Sequence, residues 1–100
     1  MLLIIQFDVD ADLIDVPQIV IDTRETLRAQ FIKWIYNKQN KKYRRAFTDA
    51  SGKKFYGVQF RGDAFVDWLN RKVLCNSKEC ATMVKQKIFD YPDDIPILLF

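Results

Sequence analysis

The stretch DTRETLRAQFIKWIYNKQNKKYRRAFTDASGKK, Asp22 to Lys54, decides how this chain is read, because pattern, charge and aromatic content change together along it. Leu27, Phe31, Trp34 and Ile35 fall at i, i+4, i+7 and i+8. That spacing lines one face of a 3.6-residue repeat and predicts an amphipathic helix with the face in the core. Asp22 and Thr23 mark its start, with Asp22 three residues ahead of Glu25 in the spacing of a capping box. Ala29, Ile32 and Tyr36 make a second apolar arc, which either widens the buried face or meets a partner. Beyond it, Lys38, Lys41 and Lys42 suit the negative end of a helix dipole.

Working outward, charge is distributed unevenly although the net value is only +3. Residues 1–22 carry five Asp and no base, whereas residues 33–54 carry eight Lys/Arg against Asp49 alone. A local positive field and a local negative field are therefore built into different thirds of the chain.

The remaining segments read as strand, irregular segment, helix, hairpin, helix, helix, strand. Leu2–Val9 predicts a strand inside the sheet, followed by a connection over Asp10–Pro17. Gln18–Ile21 adds a short strand or docks on the core ahead of the helix. Ala46–Thr48 and Lys54–Phe60 flank the turn residues Asp49–Lys53 and predict a hairpin, with Gly57 hinting at a close approach of backbone. Asp63 is expected to cap a helix to about Leu74, and Cys80, Ala81, Val84 and Ile88 to share a face of a third helix. Ile95–Phe100 predicts a buried strand beside Leu2–Val9, between neighbours and not at an edge. The fold class expected is α+β: one two-layer domain over residues 1–100, an antiparallel or mixed sheet of three to five strands with about three helices mainly on one face.

Half of the residues are apolar and Gly and Pro are few, so disorder is not expected. No apolar run approaches a membrane span, and the opening Met-Leu-Leu-Ile-Ile lacks a basic region and soon meets Asp8, Asp10 and Asp12. Neither a signal peptide nor a membrane contact is expected. Two cysteines, Cys75 and Cys80, do not make a disulfide framework, and a reducing cytoplasm is the expected compartment.

Three constellations invite a chemical reading. Lys38, Lys41, Lys42, Tyr43, Arg44, Arg45, Lys53 and Lys54, interleaved with Tyr36, Phe47 and Tyr56, offer cations for phosphates and rings for bases, without a helix-turn-helix or RNP pattern. The plain alternative is a solvated face or one neutralised by the N-terminal aspartates. Asp8, Asp10 and Asp12 alternate at a strand end, where carboxylates can hold a hard cation. Leu13 and Ile19 occupy positions where an EF-hand loop needs Gly and Glu, so that motif is absent. Over about ten residues Asp8-Val-Asp10 resembles the Asp-x-Asp of haloacid-dehalogenase-like phosphotransferases, in a chain shorter than their fold. That resemblance implies metal-dependent phosphoryl transfer. If the last strand runs antiparallel to the first, Asp93 and Asp94 approach Asp8 and Asp10; if parallel, they lie roughly 20 Å away.

The third constellation is the cysteine pair, whose spacing is not that of a zinc knuckle, in a chain without His. The missing His also removes the commonest general base and the usual nucleophile dyads, so no catalytic residue, cofactor or metal site is assigned. Arg61-Gly62-Asp63 reads as a strand stop and helix cap. The expected function is a non-enzymatic interaction module binding another protein or itself. The alternatives are nucleic-acid binding through residues 38–54, and phosphoryl transfer on the Asp cluster.

Overall fold

Phe31 is the hub of the core. In the computed structural model, which describes residues 1–37 and 39–100, its ring meets those of Trp34, Phe60, Phe65, Trp68 and Phe100 at centroid distances of 5.3–5.9 Å. Most of these contacts are edge-to-face, the arrangement that ring quadrupoles favour. Phe31 lies on α2 (Arg24–Ile35), which buries Leu27, Phe31 and Ile35 as its periodicity requires. Of the second arc, Ile32 packs on the core, while Ala29 and Tyr36 face solvent.

The expected cap of α2 is absent. Gln18–Asp22 forms a short helix, α1, instead of a strand. The chain thus reaches α2 already helical, with only a kink at Thr23, whose hydroxyl donates to the Ile19 carbonyl. The Leu27 amide bonds the Thr23 carbonyl, and the Asp22 carboxylate accepts from Gln18. Burial of Val20 and Ile21 overrides the strand preference of the Ile-Val-Ile run.

The fold is α+β, with helices on one face of a mixed four-stranded sheet of order β5-β2-β1-β6. Strands β1 (Leu2–Gln6) and β2 (Ala11–Asp15) form an antiparallel hairpin in the register Leu3↔Ile14 and Ile5↔Asp12. The expected single strand to Val9 is shorter, and the expected connection Asp10–Pro17 contains a strand. A tight turn at Asp8 and Val9, closed by the Phe7 amide on the Asp10 carbonyl, replaces them. Leu3, Ile5, Ile14 and Leu98 face the helices.

The expected third helix is strand β5 (Thr82–Ile88), antiparallel to β2. Its pairing runs Ile14↔Met83, Leu13↔Lys85, Ala11↔Ile88, so one extra residue is inserted at Val84 and another over Gln86–Lys87. Two bulges abolish the period of two, which is why its apolar residues imitate helical spacing. Lys87 takes a left-handed conformation, φ 58°. Bulges and lysines also blunt this edge strand.

β6 (Ile97–Leu99) lies beside β1, as expected, and parallel to it, but at the opposite edge and not between neighbours. It is only three residues long, and Arg28 Nε donates to the Leu99 carbonyl across its open side. Both devices protect an apolar edge. Because β5 and β6 are opposite edges, residues 89–96 must cross the sheet. They cross its back, where Tyr91 donates to Gln6 and where Ile4 and Ala11 are buried outside the helix-facing core.

Helix α3 (Gly62–Trp68) continues into a π-helical turn, Leu69–Val73, burying Phe65, Trp68 and Leu69. Arg61, not Asp63, occupies its N-cap position, and Asp63 accepts from the adjacent Ala64 amide. The expected basic hairpin forms as β3 (Arg44–Thr48) and β4 (Lys54–Val58), a separate two-stranded sheet. Among the described residues these two strands pack broadly only on each other. The molecule is accordingly elongated, 45 × 33 × 20 Å, with a radius of gyration of 14.7 Å where about 13 Å is usual for this length. Among the described residues no helix is long and apolar enough to cross a membrane.

Replacing Phe31 with Ala removes the ring that joins α2, α3 and the C-terminal strand, and is expected to lower the unfolding free energy by about 3–5 kcal/mol. Tyr56→Ala, on the hairpin, should stay within about 0.5 kcal/mol of wild type. Urea unfolding followed by tryptophan fluorescence compares the two; equal losses would contradict a core centred on Phe31.

Candidate functional site

The acidic turn and the basic arm have different fates. Asp12 sits on the helix-facing row of β2 and is completely buried. Its Oδ1 accepts from Arg61 Nη2 at 2.5 Å and from the Lys87 amide at 3.0 Å, and its Oδ2 from the Gly62 amide at 2.8 Å. Asp10 adds a second carboxylate, 3.0 Å from the same Arg61 nitrogen. The left-handed turn at Lys87 belongs to the bulge opposite Asp12 and aims an amide at it. The Arg61 guanidinium lies 4.9 Å from the centre of the Phe7 ring. Its pKa is raised, chiefly by the hydrogen bond to Asp12, against the opposing effect of burial.

Gly62 is required for a steric reason. A Cβ there would lie 2.9 Å from the Asp12 Cβ and 3.0 Å from its Oδ2. The Arg61-Gly62 pair is thus the receptor for Asp12, a role that its strand-stop reading misses.

The four-carboxylate arrangement considered for the Asp cluster is not assembled. Among the described residues no group of three His, Cys, Asp or Glu side chains is placed to hold a metal ion. β6 is parallel to β1, yet Asp93 does not lie far away at the opposite end. The crossover carries it back to a groove of about 260 Å³ that it shares with Asp10, Asp90 and Tyr91. Cys75 and Cys80 are both exposed free thiols.

The arm gathers most of the basic residues named from the sequence; Lys38 lies outside the described residues. Arg44 has a structural task, its guanidinium bonding the carbonyls of Tyr36 and Asn40 at 2.9 and 3.3 Å where α2 ends. Tyr43 stands edge-on to Trp34 at 6.2 Å, and its carbonyl accepts the Gln59 amide. These contacts root the hairpin on α2. Lys42 lies over the Tyr43 ring and 3.7 Å from Asp67, which Arg71 also approaches at 3.0 Å. Arg45 donates to the carbonyl of Arg44. Among the described residues, Lys41, Arg45, Lys53 and Lys54 enter no ion pair.

The register Arg44↔Val58, Arg45↔Gly57, Ala46↔Tyr56, Phe47↔Phe55, Thr48↔Lys54 sorts the arm into two faces. On one, Phe47 and Phe55 stack at 5.5 Å, and Gly57 makes room for the Phe47 ring, which a Cβ would meet at 3.0 Å. On the other, Tyr56 is 79% exposed between Lys54 and Val58. At the tip, Gly52 adopts φ 84°, and Asp49 accepts from Ser51 and from the Lys53 amide. Those bonds, the Ser51 hydroxyl first, hold the Asp49 carboxyl below its ordinary 3.8. The one acid of the arm thus stays charged, but it is spent on the turn.

Chemically, the arm can present cations and rings to a ligand without unfolding anything. Comparison with protein-family models, curated proteins and solved structures finds no match to this chain.

Gly62→Ala should push the new methyl into Asp12 and lower the unfolding free energy by about 1–3 kcal/mol. Urea denaturation measures it, and a change below about 0.5 kcal/mol would show that Asp12 is not held against this backbone.

Proposed function

We propose that this protein is a non-enzymatic binding module that engages a polyanion, nucleic acid in the first place, through the β3–β4 arm. One observation carries the reading. Three of the five aspartates of residues 1–22 are paired away from the arm, Asp10 and Asp12 on Arg61 and Asp15 on the amino group of Met1. Among the described residues none of them pairs with a cation of the arm. Between residues 41 and 58 six Lys/Arg stand against Asp49 alone. A projecting, rooted ribbon whose positive charge Asp49 and the Lys42–Asp67 pair only partly offset is an electrostatic footprint for phosphates.

Support for a protein partner or self-association is thinner. It would use the exposed aromatics together with the second arc of α2, and that arc is reduced to Ala29 and Tyr36 because Ile32 turns to the core. A cytoplasmic setting accords with two exposed thiols left free.

A labelled oligonucleotide titrated by fluorescence anisotropy between about 50 and about 200 mM salt tests the proposal. With Lys41, Arg45, Lys53 and Lys54 on phosphates, the log–log salt slope should be about −3 for a single strand. Lys53→Glu combined with Lys54→Glu should weaken binding at least about tenfold at the lower salt without altering stability. No binding at low salt, or binding indifferent to the double replacement, overturns it.

A further inference from the structure

We infer that the arm takes single-stranded nucleic acid, with Tyr56 as the platform on which an unpaired base stacks. This rests on the polyanion reading above and adds what the ligand must expose. A duplex offers only base edges in its grooves, so a ribbon that reads it needs donors and acceptors along the inserted face. The Tyr56 face has few of them. Ala46 and Val58 are apolar, and the Arg44 guanidinium is committed to the carbonyls of Tyr36 and Asn40. That leaves Thr48, Lys54 and the hydroxyl of Tyr56 to meet a base edge.

What this face offers instead is a π surface. Among the described residues Tyr56 stacks with no other ring, in contrast to Phe47 and Phe55, which satisfy each other on the opposite side. Its cross-strand neighbour is the small Ala46, so no bulky group shelters the ring. Lys54, two residues along the same strand and about 7 Å away, is placed for the phosphate next to a stacked base. Aromatic stacking with adjacent cations is how single strands are held without sequence preference.

The test uses the full chain and three ligands of equal length: a single-stranded oligonucleotide, its duplex, and a strand with abasic sugars. The wild type should bind the single strand about tenfold or more tightly than the abasic strand. It should also prefer the single strand to the duplex. Tyr56→Ala should bring single-strand affinity down to the abasic level with the salt slope unchanged, and Tyr56→Phe should restore it. Equal affinity for all three ligands, or a Tyr56→Ala protein that binds like wild type, overturns the stacking platform while leaving the polyanion reading intact. Failure to bind any of the three overturns both.

Discussion

A buried carboxylate holds this molecule together at the point where its most distant segments meet. Asp12, with no accessible surface, gathers donors from Arg61, Gly62 and Lys87, residues from the start of α3 and from the bulge of β5. An ionised carboxylate out of water is tolerable only when its lone pairs are filled, and filling them fixes what surrounds it. Gly62 can bear no side chain, and Lys87 accepts a left-handed backbone. The clamp spans the sheet and the helical layer, so the relative placement of the two layers depends on it.

The same clamp shapes the surface. It holds Asp10 and Asp12 on Arg61 and off the cations of residues 41–58. Among the described residues Lys41, Arg45, Lys53 and Lys54 enter no ion pair, and salt screens them over a Debye length of about 8–10 Å. An isolated hairpin of this size is marginal in water. This one is rooted by Arg44 and Tyr43 on the end of α2 and tightened by the Phe47–Phe55 stack, so it holds its shape without spending its outermost groups.

Much of this was legible in the sequence, for identifiable reasons. α2 declared itself because its burial stripe is regular, and the basic hairpin because Asp49-Ala-Ser-Gly52 is turn chemistry between aromatic strands. The first hairpin was hidden because its turn at Asp8 and Val9 has no Gly or Asn and because its second strand carries a buried acid. β5 was hidden by bulges that shift its apolar residues out of alternation. α1 was hidden by β-branched residues that tertiary burial holds in a helix. The cluster of cations could be read from composition, but not that Arg44 serves the end of α2. Nor could a pairing of Asp12 with Arg61, 49 positions apart, be read from local pattern.

The clamp is the element on which both the layering and the separation of charge rest, so its energy is the quantity to measure. A double-mutant cycle of Asp12→Asn, which keeps side-chain size, and Arg61→Gln, each variant unfolded in urea, isolates the pairing of the two from what each loses alone. A coupling of about 2 kcal/mol is the result expected for a shared, desolvated pair. Losses that add to within about 0.3 kcal/mol would mean that Asp12 and Arg61 stand side by side without depending on each other, and would contradict the account.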